Sequence, residues 1–320
     1  MLPDRFTTML VATVILACVL PATGAGSRIA ADLTTLAVSL LFFLHGSRLS
    51  REAIFAAIKH WRLHTMVLCS TFVLFPILGI LLRPVLSFLV GPELYVGIMY
   101  LCILPSTVQS SIAMVSIARG NVPAAVCSAS ASTLLGIFLT PLLAGMLLVA
   151  NGNAAPRSGG GSAIISILLQ LFLPFLCGQM LRPIIGAWVK RHSHITKAAD
   201  QGSILLVVYT AFSAAVVEGL WHQVDWQQLL GLVAANGLLL GAVLCITKWS
   251  SKFLGFDKED EITIMFCGSK KSLASGVPMA NILFSPASVG AILLPIMIFH
   301  QMQLMICAAI ARRYAMRRDD

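Results

Sequence analysis

Residues 267–280 read CGSKKSLASGVPMA and lie between the apolar runs EITIMF and NILFSPASVGAILLPIMIF. Two ammonium groups, Lys270 and Lys271, therefore fall in an otherwise apolar stretch, together with Ser269, Ser272, Ser275 and Gly276. A charge at mid-bilayer costs at least about 2.5–3.5 kcal/mol on insertion scales, so an adjacent pair points to function. The alternative is that the span begins later and the lysines snorkel to an interface, which requires EITIMFCGS to be loop. Adjacent residues do not share a helix face, so one of the two lysines is expected to point at a central cavity. Two roles suit it. It holds an anionic substrate, or it replaces a metal cation as a fixed or protonatable charge.

A second polar cluster interrupts the run ELYVGIMYLCILPSTVQSSIAMVSIA. Pro105 withholds a backbone donor and clashes with the preceding turn. Ser106, Thr107, Gln109, Ser110 and Ser111 follow it. Ser110 and Ser111 are expected to cap a second half-helix, to offer hydroxyl ligands, or to do both. Thr71, Ser128, Ser130, Ser132 and Thr133 are weaker candidates, because small hydroxyl residues commonly pack membrane helices together. His300 with Gln301, and Asn236, are expected to make polar bonds between helices. Asp32 and Glu218 fall near the outer ends of their runs, which leaves no carboxylate near mid-membrane. GSKKS lacks the spacing of a phosphate-binding loop, and the SxxK, HExxH and GxSxG patterns are missing, so an enzyme is not expected. The eight cysteines show no CxxC or Cys/His ligand spacing; neither a disulfide framework nor a zinc site is expected, and no organic cofactor.

What positions these residues is a set of long apolar segments. The chain is 58% hydrophobic and 11% charged, against about 25% charged in an ordinary soluble domain. Its mean hydropathy is +0.89. At about 20 residues per crossing, spans are expected near 6–24, 30–46, 64–82, 93–117, 122–150, 163–181, 200–220, 228–248, 261–284 and 287–311. With the N-terminus in the cytoplasm, 17 of the 22 Lys and Arg residues collect on the cytoplasmic side, while Arg28, Arg83 and Arg157 face outward. That asymmetry fits ten spans with both termini cytoplasmic, and it accounts for the net charge of +9 without a nucleic-acid partner. The first segment also has the features of a cleaved secretory signal, but an uncleaved helix is expected because the symmetry of the chain needs it.

The centre reads NGNAAPRSGGGS (residues 151–162), the composition of a flexible linker. It separates five spans from five. An odd number per half forces opposite orientations, a hallmark of secondary transporters. The expected fold is an all-α polytopic membrane protein: ten transmembrane helices as two inverted five-helix repeats, residues 1–157 and 158–320, with broken, crossing helices four and nine. Matching interruptions in the two halves point to a substrate site at the midplane.

The motifs CGSKKSLASGVPMANILF, LPSTVQSSIAMVSIARGNVPAA and STLLGIFLTPLL resemble the bile acid:sodium symporter family. They are most similar to a branch that contains bacterial sodium-dependent transporters and the vertebrate member-seven proteins of solute carrier family ten. The resemblance covers nearly the whole chain. It implies ten helices arranged as a panel and a core, sodium as the coupling ion, and a bacterial inner membrane. The positive ends of the two half-helices and the lysine charge favour a small organic anion, carried by alternating access in symport. Together with the polar residues of the two interruptions, the expected binding set is Thr71, Ser106, Thr107, Gln109, Ser110, Ser111, Ser128, Ser269, Lys270, Lys271, Ser272 and Ser275. The family's Ser-Asn pair in span four falls on Ser110 and Ser111, and a span-three glutamine on Thr71. Its span-nine glutamate and Gln-Asn pair fall on Phe266, Lys270 and Lys271. The alternative on the same fold is a membrane regulator of ion homeostasis whose sodium site is inactivated by lysine.

Overall fold

The computed structural model describes residues 5–48, 60–149, 161–217, 219 and 225–317. Most of the linker, and Arg51, Lys59, Arg157, Glu218 and Arg318, lie outside the described residues. Among the described residues there is no strand. The helices are α1 (Arg5–Val19), α2 (Gly24–Arg48), α3 (Trp61–Leu81), α4 (Arg83–Cys102), α5 (Gln109–Ile117) and α6 (Val122–Leu148). They continue with α7 (Gly161–Arg191), α8 (Ser193–Val217), α9 (Trp226–Phe253), α10 (Lys258–Gly268), α11 (Leu273–Leu283) and α12 (Pro286–Ala315).

Eight of these helices, α2, α3, α4, α6, α7, α8, α9 and α12, are long and apolar enough to cross a bilayer. Their outward faces are apolar as well, with Phe88, Ile184, Trp249 and Phe253 among the most exposed side chains, as lipid contact requires. Expected spans four and nine are broken instead. Span four runs from the end of α4 through a non-helical stretch into α5, and span nine is split into α10 and α11 of 11 residues each. A helix of that length is about 16 Å long, roughly half of the hydrocarbon core. α4 also bends near its middle, where Gly91 takes φ 78° and ψ 168° ahead of Pro92. Glycine reaches that left-handed φ without a side-chain penalty.

The chain divides into two compact units. One comprises residues 1–49, 149–225 and 277–293, and so contains α1, α2, α7 and α8. Here α2 and α7 cross at a pair of glycines. A Cβ on Gly46 would lie 2.0 Å from the Phe175 carbonyl oxygen, and one on Gly178 would lie 2.0 Å from that of Phe43. Small residues let membrane helices approach to backbone contact in this way. Arg48 on α2 pairs with the buried Asp200 on α8. Thr34 and Thr210 hydroxyls meet at 2.9 Å, and the Tyr209 hydroxyl donates to the Leu20 carbonyl after α1.

The second unit comprises residues 50–148, 226–276 and 294–320. It contains both breaks. α3 carries one π-helical turn at Ser70–Leu74, just before Pro76. Gly231 of α9 lies against the Leu89 carbonyl, and Gly136 of α6 lies against the Pro105 ring. Asn121 caps α6 by accepting from the Ala124 N–H, and its amide donates to Asp260 at 2.9 Å. Asp257 caps α10, whose first turn is acidic at Glu259, Asp260 and Glu261, the sign that suits the positive end of a helix. Asn236 bonds α9 to α12 through the Pro295 carbonyl, the interhelical role expected of it.

The glycine crossing gives a first test. Gly46→Ala and Gly178→Ala each place a methyl group inside a backbone contact and are expected to destabilise the fold by about 1–3 kcal/mol. Gly202→Ala, where nothing lies within 4 Å, leaves stability unchanged. Thermal unfolding of the detergent-solubilised variants measures the difference.

Candidate functional site

The two breaks meet within the second unit, and their backbone groups repair one another. Pro105 has no N–H for the Leu101 carbonyl, so the Leu104 N–H turns back to it at 3.2 Å. The next carbonyls each find a distant donor. Thr140 Oγ1 donates to Ile103 at 2.9 Å, and the Ser272 N–H donates to Pro105 at 2.8 Å. The Ser106 N–H donates to Ser132 Oγ at 3.0 Å, while its hydroxyl donates to the Cys267 carbonyl. Buried main-chain groups need such partners where no water is at hand.

The neighbouring lysines point different ways because the backbone between α10 and α11 is not helical. Both are fully buried. Lys271 Nζ donates to the carbonyls of Thr71 at 2.7 Å, Cys102 at 2.7 Å and Leu104 at 2.8 Å. It also lies 4.1 Å from the centroid of the Phe75 ring, a favourable cation–π arrangement. Lys270 Nζ makes a single hydrogen bond among the described residues, to the Ser110 carbonyl at 2.8 Å.

Gln303 clasps the main chain of Lys271. Its Oε1 accepts from the Lys271 N–H at 2.8 Å, and its Nε2 donates to the Lys271 carbonyl at 2.9 Å. The second Nε2 hydrogen is directed to His300 Nδ1 at 2.9 Å. A neutral His300 ring therefore carries its hydrogen on Nε2. His300 thus meets Gln303 on its own helix and also the Lys271 backbone in the break between α10 and α11.

The other expected site residues divide into two groups. Thr107 Oγ1 meets Ser110 Oγ at 2.7 Å and Ser111 Oγ at 2.9 Å, and Ser111 reaches toward the Phe266 carbonyl at 3.5 Å. Ser272 Oγ caps α11 by accepting from the Ser275 N–H at 3.1 Å and pairs with Ser275 Oγ at 3.2 Å. Ser269 is buried and closes α10. Gln109, the first residue of α5, is exposed. Ser110 and Ser111 do not cap α5, contrary to expectation. The N-cap is Val108, which supplies no side-chain acceptor, and the two serines lie inside the first turn.

Thr71 joins the site through its carbonyl, since its hydroxyl is spent on the Val67 carbonyl at 2.8 Å. Ser128 is placed elsewhere, 2.7 Å from His64 Nδ1. Gln303 and Thr140 were not singled out by the sequence, and neither was the buried carboxylate of Asp200; Ser132, expected only to pack helices, accepts the Ser106 N–H. Gln303 carries a faint signal, as an amide three residues after a histidine in an apolar run. Among the described residues no three His, Cys, Asp or Glu side chains gather to hold a metal ion.

The sequence matches the SBF-like CPA transporter family (DUF4137) over residues 4–316. The chain belongs to this family. It is 59% identical over 319 residues to "Uncharacterized protein PA2026" of Pseudomonas aeruginosa, covering 100% of this chain and 95% of the other. It is 56% identical over 317 residues to "Putative symporter YfeH" of Escherichia coli (strain K12), covering 99% and 94% of the two chains. It is 30% identical over 282 residues to "Sodium/bile acid cotransporter 7" of Danio rerio, covering 86% and 81%. Membership places the broken-helix site in a membrane transporter family.

Gln303→Leu removes the partners of two buried backbone groups, whereas Thr140→Val removes the donor to one carbonyl. At about 1–3 kcal/mol for each orphaned group, Gln303→Leu is expected to lower the unfolding midpoint further than Thr140→Val. Equal midpoints would show that Gln303 does not hold the break.

Proposed function

We propose that this protein is a secondary transporter that carries a small organic anion across a bacterial inner membrane by alternating access, with sodium as the coupled ion. The observation that carries the proposal is Lys270, a fully buried ammonium with one hydrogen bond beside the uncapped first turn of α5. Buried cationic charge next to a positive helix end favours an anion. In this reading the ten spans form two inverted repeats, residues 1–157 and 158–320, with both termini cytoplasmic. The two compact units each draw on both halves of the sequence, which supports a panel and a core of that origin. Sodium coupling is supported by the name of the zebrafish relative. The clustered hydroxyls of Thr107, Ser110 and Ser111 are the oxygens proposed to meet the ion.

The test is thermal unfolding of the purified protein in sodium or potassium at equal ionic strength, across a panel of carboxylates, sulfonates and phosphates. A ligand bound only by the folded state raises its stability by mass action. One anion class is expected to raise the midpoint in wild type but not in Lys270→Ala. Sodium is expected to add a rise that Thr107→Val with Ser111→Ala removes. Reconstituted vesicles then take up that anion only with an inward sodium gradient. An absence of anion stabilisation and of uptake would favour a regulator on the same fold, for which the occupied carbonyl cluster around Lys271 is the supporting observation.

A further inference from the structure

The Lys271 ammonium has three N–H donors, and three main-chain carbonyls take them at 2.7, 2.7 and 2.8 Å. The Phe75 ring, 4.1 Å away, supplies a further electron-rich surface. No ammonium hydrogen is left for a ligand, so Lys271 is not the residue that meets a substrate.

The sequence makes each of these carbonyls available. The Phe75 N–H, which in an α-helix would serve Thr71, goes to the Ser70 carbonyl in the π-helical turn. The next donor in a π-helical pattern would be residue 76, but that residue is proline. The Thr71 carbonyl therefore has no donor within its helix. The Cys102 carbonyl loses its helical partner because the Ser106 N–H goes to Ser132 Oγ. Leu104 lies in the break between α4 and α5, ahead of Pro105. Three carbonyls from two segments thus converge on one point, as they do around a dehydrated cation in a selectivity filter.

We propose that the Thr71, Cys102 and Leu104 carbonyls form a monovalent-cation cage that this chain fills with its own Lys271 ammonium, and that shortening Lys271 uncovers a site for a free monovalent cation. The cage suits a single charge. Its ligands are neutral carbonyls and a ring face, and among the described residues no carboxylate joins them to offset a divalent ion. Oxygen-to-centre distances of 2.7–2.8 Å fit ammonium and potassium better than the smaller sodium ion. The cage is separate from the hydroxyl cluster of Thr107, Ser110 and Ser111. It also needs no assumption about transport.

The experiment compares wild type, Lys271→Ala and Lys271→Met, extracted and purified in chloride salts of ammonium, potassium, sodium or choline at equal ionic strength. The readouts are the monodisperse folded fraction and the unfolding midpoint. Lys271→Ala opens room in the cage, whereas Lys271→Met fills it with an apolar chain. Lys271→Ala is expected to recover folded fraction, with a midpoint several degrees higher, in ammonium or potassium than in choline, and with a smaller gain in sodium. Wild type and Lys271→Met are expected to be the same in all four salts. The proposal is overturned if Lys271→Ala behaves alike in every salt, whether folded throughout or unfolded throughout. It is also overturned if wild type gains as much from potassium or ammonium as the alanine variant does. Because folding is the readout, this result stands apart from success or failure of the anion assays.

Discussion

A main-chain carbonyl inside a membrane cannot borrow a hydrogen bond from water, and an unmet one costs several kcal/mol. Each broken helix in this protein exposes such groups, and the surrounding sequence is arranged to meet them. The Ser272 N–H reaches the Pro105 carbonyl, and the Ser106 hydroxyl reaches the Cys267 carbonyl. Each break therefore supplies donors to the other. The two interruptions thus constrain one another as a pair. Thr140, Ser132 and Gln303 complete the repair from α6 and α12.

The same constraint explains why two lysines stand side by side. A helical KK pair would put its ammonium groups about a hundred degrees apart on one cylinder. Here the backbone between α10 and α11 is not helical, and the side chains separate. One is drawn into the carbonyls that the proline-containing segments leave free, and the other reaches a carbonyl of the first turn of α5. Neighbours that look equivalent in the sequence thereby come to occupy different surroundings, three carbonyls around Lys271 and one at Lys270.

Much of this organisation was legible in advance. Pro105 and the polar run after it marked the first break, and Gly268 with the serines and lysines marked the second. Local composition is enough there, because proline and polar side chains act on their own segment. What escaped is what depends on distant chain. Gln303 is one of two amides close together in α12, and only the fold shows that it clasps the Lys271 backbone. Thr71 was noticed for its hydroxyl, yet its contribution is a carbonyl released by a π-helical turn and Pro76. Asp200 was hidden because its partner, Arg48, is 152 residues away in sequence. Ser110 and Ser111 followed a sound capping preference, but α5 starts at Gln109, two residues earlier than a Ser110 cap would require.

The glycine crossing of α2 and α7 carries a mechanical consequence. Each glycine faces the carbonyl of the residue three positions before the other glycine, Phe175 for Gly46 and Phe43 for Gly178. The obstacle on both sides is backbone, which has no rotamer to yield. Sliding along the crossing or rolling one helix over the other would jam a carbonyl against a Cα. The two helices are keyed together, as two notched bars lock at their notches, so a displacement of α2 at the crossing carries α7 with it.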